Sequence, residues 1–239
     1  MTAAAYSLKE MKDLLILGID TSGKTVSAAV CDENTVLAQV TAVSKQVHSR
    51  IILPEAKRVL EAAGLTLGDI DGIAAAKGPG SYTGLRIGLS AVKGISFANG
   101  CRCWGISTLK TLAYNFRGLD CKVCSVMHAR QNILYNALFE VKGNKITRLC
   151  ADRLISEEEL LRELSEGNDV YYAAGDHCDT LSAASNGNII PAPVHLKNPL
   201  ASSLCFAAFD STPISAAELI PDYLQATKAE KDLTEKNNC

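Results

Sequence analysis

Only one tryptophan, three methionines and four histidines occur in the 239 residues, and aromatic residues make up 5% of the chain. His48, His128, His177 and His195 stand apart, none four residues from another, so no helix carries the paired imidazoles of a metalloenzyme motif. No sign of charge dominates either. The 24 basic residues face 26 acidic ones without a long run of either, which leaves no electrostatic footprint for holding nucleic acid alone. The apolar run Leu14 to Ile19 is too short to span a bilayer, and Met1 to Asp13 is polar and lacks the marks of a cleavable leader. A cytoplasmic location away from the membrane is expected. Nine cysteines, an odd number in a chain without a secretory signal, fit reduced thiols better than a disulfide framework.

What is present is an ordinary globular composition, 47% hydrophobic and 21% charged, with ample material for a core. The stretch Gly78-Pro79-Gly80-Ser81-Tyr82-Thr83-Gly84-Leu85-Arg86-Ile87-Gly88 joins a buried strand, Gly72 to Ala76, to a helix capped by Ser81 or Thr83. That helix sets Leu85, Leu89 and Val92 at i, i+4 and i+7, beside Gly84, Gly88, Ala91, Gly94 and Ala98. The second group makes one flank nearly bare of side chains, which lets another backbone come close.

Before this stretch, Leu14 to Asp20, Val26 to Cys31 and Thr35 to Thr41 read as an antiparallel meander. A helix follows over His48 to Gly64, expected to begin near Leu53 or to kink at Pro54. After it come the Gly72 strand, the Gly84 helix, a strand around Arg102 to Gly105 and a helix capped by Ser107, completing the order β-β-β-α-β-α-β-α. From Lys122 the order begins again, with strands Lys122 to Met127, Ile133 to Val141 and Lys145 to Ala151. The capping box at Ser156 to Glu159 opens a helix that turns Leu160, Leu161 and Leu164 inward. Val170 to Ala174 is the next strand. Leu204 to Phe209, Ala216 to Leu219 and Pro221-Asp222-Tyr223-Leu224 are thinner signals, and Lys228 to Cys239 reads as a solvated tail.

Gly18-Ile19-Asp20-Thr21-Ser22-Gly23-Lys24-Thr25 matches the P-loop pattern, but a P-loop needs a helix after its lysine to cradle phosphate. Here the β-branched Val26 to Cys31 follows, so the match is read as a coincidence. The same residues suit either a hairpin whose turn faces a nucleotide, with Asp20, Thr21 and Ser22 as cofactor-binding positions, or a plain hairpin turn. Cys101-x-Cys103 and Cys121-x-x-Cys124 imitate a zinc layout, yet Cys121 and Cys124 sit three apart at the head of a strand and point to opposite faces. Ser22 and Ser81 lie in turns but in no nucleophile elbow. Neither a catalytic residue nor a metal ligand is assigned.

Taken together, Gly18-Ile19-Asp20-Thr21-Ser22, His48-Ser49, the Gly78 to Gly88 stretch, Lys93-Gly94 and Gly105-Ile106-Ser107-Thr108-Leu109 resemble the TsaB family, also called YeaZ. The match runs with correct spacing from about Leu14 to Leu112. It weakens afterwards to Ala129-Arg130, Leu134-Tyr135 and the terminal Pro221 to Leu224, and His128 stands where family members often carry Asp.

The resemblance implies an α/β fold of the actin/Hsp70/sugar-kinase (ASKHA) type with two β-β-β-α-β-α-β-α halves, the second truncated. The domains would be 13–115 and 116–226, with a flexible tail at 227–239. It further implies membership of the bacterial machinery that puts a threonylcarbamoyl group on N6 of the adenosine next to the anticodon of ANN-decoding tRNAs. There the related subunit TsaD carries the transferase site, with a metal held partly by an H-x-x-x-H pair. Four residues after His48 this chain has Ile52, so the resemblance points to a non-catalytic scaffold for TsaD, with TsaE as the ATPase of the full complex. In that setting tRNA is met only through the complex, no cofactor is required by this chain, ATP belongs at the complex interface or with the partners, and the isolated chain is a homodimer. The interface expected with TsaD comprises Ile51, Glu55, Arg58, Gly84, Gly88, Ala91, Gly94 and Ala98. An ATPase of the same superfold, or a peptidase, is the alternative.

Overall fold

The structure, a computed structural model, describes residues 14–43 and 48–224. The leader and the tail from Lys228 lie outside the described residues.

A five-stranded sheet has the order β3-β2-β1-β4-β5, with β1 Ile16–Asp20, β2 Thr25–Cys31, β3 Val36–Val43, β4 Gly72–Gly78 and β5 Arg102–Ser107. The first three strands are an antiparallel meander, with Leu17 opposite Val30, while β4 runs parallel to β1 and β5 parallel to β4. β1 and β2 are buried along their whole length because both faces of the sheet are covered, which is why their sequences are continuous apolar runs. β3 lies at the edge and alternates exposed with half-buried positions.

On one face α1 (His48–Ala62) and α2 (Tyr82–Asn99) cover Leu17, Ile19, Val26, Val30 and Ile73 with Ile52, Val59, Leu60, Leu89 and Val92. α1 starts at His48 and runs through Pro54 instead of beginning at Leu53. Pro54 is exposed, the side on which a carbonyl left without its N–H partner meets water. α2 is capped by Ser81, whose Oγ accepts from Gly84 N at 3.2 Å, and closed by Gly100 at φ 65°.

A second sheet has the order β11-β10-β6-β7-β8, with β9 also paired to β7. Its members are β6 Leu119–Arg130, β7 Ile133–Gly143, β8 Lys145–Arg148, β9 Arg153–Ser156, β10 Tyr171–Ala174 and β11 Ile189–Pro191. The single third strand expected over Lys145 to Ala151 is in fact two. β8 ends at Arg148, Leu149 N and Cys150 N both donate to Leu138 O, and the chain rejoins β7 with Arg153 opposite Asn136. Both pieces use the same long partner, so the interruption costs few ladder bonds. α4 (Glu157–Ser165), opened by the capping box, and α5 (Cys178–Ala184) bury Leu160, Leu164, Cys178 and Leu181 against one face. The second half keeps the same element order as the first, and its truncation takes the form of short members, β11 having three residues and α5 seven.

The last helix of each half crosses over. α3 (Thr108–Tyr114) places Leu109, Leu112 and Ala113 with Val123, Phe139 and Val141 of the second sheet. α6 (Ala201–Phe209) places Leu204, Cys205 and Ala208 with Ile16, Ala29 and Ala74 of the first. A Cβ at Gly18 would stand 2.5 Å from Ala201 O, so glycine in β1 is what lets α6 lie down on the sheet. A cut at residue 116 would therefore part each of these helices from the sheet it covers. Between them Lys110 Nζ donates to Ser211 Oγ at 2.8 Å and Tyr114 OH to Asp210 Oδ2 at 2.8 Å. Burial and the Asp210 carboxylate push the Tyr114 phenol well up.

Candidate functional site

The turn after β1 and the head of α2 meet in the interior. Asp20, Thr21 and Ser22 are 0%, 2% and 1% exposed. Ser22 donates to Asp20 Oδ1 through both its N, at 2.9 Å, and its Oγ, at 2.8 Å. Thr21 Oγ1 donates to Gly84 O at 2.7 Å, and Ser22 O accepts from Ser81 N at 2.8 Å. Both hydroxyls are thus spent within the chain. Asp20 Oδ2 has no hydrogen-bond partner among the described residues, and burial pushes the carboxyl up against the opposing pull of the Ser22 bonds and the His48 charge.

The packing that seals this turn needs glycine. A Cβ would stand 2.4 Å from Ser22 O at Gly80, 2.1 Å from Thr21 O at Gly84 and 2.4 Å from Thr21 Oγ1 at Gly88. Asp20, Thr21 and Ser22, the positions expected to bind a cofactor, lie together in this turn, with their hydroxyls bonded within the chain and the head of α2 packed against them. Lys24 is exposed and Thr25 already begins β2, so the P-loop pattern contains no helix.

The eight residues expected at the interface with TsaD, Ile51, Glu55, Arg58, Gly84, Gly88, Ala91, Gly94 and Ala98, lie in unlike surroundings. Gly84 and Gly88 are buried against the turn, and Ile51 is half-buried against the core of the first sheet. Arg58 pairs with Glu55 at 3.2 Å. Ala91 is half-buried, whereas Gly94 and Ala98 are exposed, and a Cβ at Gly94 would meet nothing within 4 Å. The stripe of small residues is continuous, but the Asp20–Ser22 turn reaches only its first two turns.

Between α1 and α2 the surface opens into two hollows that share Leu53. One, of about 620 Å³, is lined by Ser49, Ile52, Leu53, Tyr82, Thr83, Arg86, Ile87, Ser90 and Ala91. The other, of about 420 Å³, is lined by Leu53, Ala56, Lys57, Leu60, Glu61, Leu65, Thr66, Leu67 and Ile95. Of the eight residues expected at the interface, Ala91 alone lines this groove. Leu53 and Phe97 are 49% and 91% exposed, apolar surface that no element among the described residues covers.

The C-terminal strap was legible as a Pro-Asp-Tyr-Leu motif but not as a contact. Asp222 N donates to Lys77 O at 2.7 Å, and the Tyr223 ring stacks on Tyr82 at 5.1 Å. In the second half, His128 N donates to Asp176 Oδ1 at 2.8 Å and its ring lies 6.0 Å from that of His177, which bonds Glu157 at 2.8 Å. A carboxylate, Asp176, thus sits beside the position where His128 replaces Asp. Cys121 and Cys124 pack into the cores on the two faces of the sheet. Among the described residues no group of three or more His, Cys, Asp or Glu is placed to hold a metal, and no helix is long and apolar enough to cross a membrane.

Two sheets built by a repeated β-β-β-α-β-α-β-α order, with the last helix of each half crossing to the other sheet, define an α/β protein of the ASKHA class. The family model for TsaD, tRNA N6-adenosine threonylcarbamoyltransferase, matches residues 35–231. The tRNA threonylcarbamoyladenosine biosynthesis protein TsaB of Bacillus subtilis is 31% identical over 225 residues, 91% of this chain and 96% of that protein. The chain belongs to the TsaB (YeaZ) family, which acts in tRNA threonylcarbamoyladenosine biosynthesis. The solved structure of YeaZ from Pseudomonas aeruginosa shares the fold, with a TM-score of 0.77 at 23% identity over 88% of this chain and 100% of that one. The tRNA N6-adenosine threonylcarbamoyltransferase of Bacillus subtilis is also similar, 34% identical over 107 residues, but these are 38% of this chain and 31% of that protein.

Proposed function

We propose that the chain is a non-catalytic subunit required for threonylcarbamoyl transfer to N6 of the adenosine next to the anticodon in ANN-decoding tRNAs, and that it serves as the scaffold partner of TsaD. The observation that carries this reading is the contrast between a sealed turn and an open groove. The turn that a nucleotide-using member of the superfold would present to its ligand is filled by α2, while the apolar α1/α2 face is left without a covering element among the described residues.

The similarity of this chain to a transferase supports the choice of partner. Two related folds present related α1 and α2 helices, and such helices pair face to face about a pseudo-two-fold axis. A second copy of this chain offers the same helices, so a homodimer forms when TsaD is absent. In the full complex TsaE supplies ATP hydrolysis, tRNA is reached through the assembly, and any ATP at this chain sits at the complex interface.

The test is a reconstitution. The purified chain alone shows no threonylcarbamoyl transfer and negligible ATP turnover, and restores transfer when added to TsaD and TsaE. Ala91→Trp, a wedge in the groove, lowers TsaD affinity by about a hundredfold with little change in thermal midpoint. Steady-state ATP hydrolysis by the isolated chain that disappears in Asp20→Asn, or wild-type TsaD affinity in folded Ala91→Trp, overturns the reading.

A further inference from the structure

Arg86 is an exposed cation that the fold holds still. Its guanidinium lies 4.1 Å over the Tyr82 ring, and its Nε donates to Tyr223 OH at 3.0 Å. Tyr223 arrives from 137 residues away, on the strap that Lys77 anchors, and its ring is stacked within 26° of parallel on Tyr82. A flexible side chain thus surrenders rotamer freedom at the surface before any partner is present, which is the preorganisation that strengthens a charge contact on binding. No carboxylate among the described residues pairs with it.

We propose that Arg86, fixed by Tyr82 and Tyr223, is the specificity-determining cation of the α1/α2 groove and receives a carboxylate from the helix of the partner docked there. The inference rests on the reading that this groove receives TsaD. With Nε used and one ring face stacked, the terminal N–H groups of the guanidinium remain, and their fork matches the two oxygens of a carboxylate. Among the described residues Arg86 is the single charged one lining its hollow, whose floor is Ile52, Leu53, Ile87 and Ala91. An apolar floor with one cation at its rim fits an amphipathic helix that carries an acid at one end. Nucleic acid, which is held by several phosphate contacts, would need more cations than this.

Calorimetry of the full chain with purified TsaD, at low and high salt, tests the proposal. Arg86→Gln weakens binding roughly thirtyfold, within the range for interface arginines, and flattens the salt dependence. Arg86→Lys recovers part of the loss, because an ammonium lacks the fork and the stack. Tyr223→Phe, which keeps the ring and removes only the acceptor, weakens binding about fivefold. Arg86→Glu is rescued by lysine in place of one acidic residue on the partner helix. If Arg86→Gln binds TsaD with wild-type affinity and salt slope while Ala91→Trp does not bind, this inference fails and the docking reading stands. If Ala91→Trp binds as well, both fall. Retained TsaD affinity with loss of tRNA retention by the complex also overturns the proposal and assigns Arg86 to a phosphate.

Discussion

The two ends of α2 carry the same kind of residue and do opposite things. At its head Gly80, Gly84 and Gly88 each face an atom that a Cβ would strike, so they are small because this chain's own turn lies against them. Further along, Gly94 faces open space and Ala91 lines the groove. A stripe of small residues is therefore not one signal. Its meaning depends on what lies opposite, and here the neighbour changes from Thr21 to solvent within three helical turns.

The comparison breaks most sharply at Gly84. Gly84→Val sets a branched side chain where a first carbon alone would stand 2.1 Å from Thr21 O, and this destabilises the fold by about 3 kcal/mol or more. Thermal or urea unfolding checks it, and a variant as stable as wild type would mean that the turn yields freely.

A smaller effect, sharper in pH, is expected at Asp20. Its carboxyl is raised in the folded state, so the native protein holds the proton more tightly than the unfolded chain, whose value lies near 3.9. Stability is then fully present below about pH 3.9 and is lost as pH rises toward the folded-state value, by about 1.4 kcal/mol for each pH unit that separates the two values. Asp20→Asn keeps an acceptor for Ser22 and cannot ionise. Its advantage over wild type in urea unfolding should therefore grow from pH 4 to neutrality, and parallel curves would refute the account.

The smallest effect belongs to the open end. Gly94→Ala adds a methyl group to free space and relieves an interior glycine, raising stability by about 0.5–1 kcal/mol. On a chain of this size that is a rise of about 1–4 °C in thermal midpoint. A fall would place Gly94 against something the described residues do not contain.

Much of the frame was legible because it is local. The meander, the Ser81 and Ser107 caps, the Ser156 capping box and the alternation of strand and helix are set by neighbours within a few residues. The opposed faces of Cys121 and Cys124 follow from the period of a strand. Pro54 misled as a start signal, because proline is judged by the donor it lacks, whereas an exposed position lets water take the carbonyl left over and the helix runs through it. The split of the third strand was hidden because β8 and β9 are each four residues long and take their register from β7.

The sequence by itself determined the element order of the first half, the motifs that mark the family and the failure of the P-loop pattern, since each is read from short stretches of neighbouring residues; α5 and β11, seven and three residues long, left no such signal. Tertiary structure alone decided which side of α2 is closed, which helix covers which sheet and how Tyr223 comes to hold Arg86. The physical reason is range. A glycine's role is set by the atom opposite its missing Cβ, and for Gly84 that atom belongs to Thr21, 63 residues away; for Arg86 the fixing hydroxyl is 137 residues away. No local pattern encodes such a partner, because the fold must first bring it there.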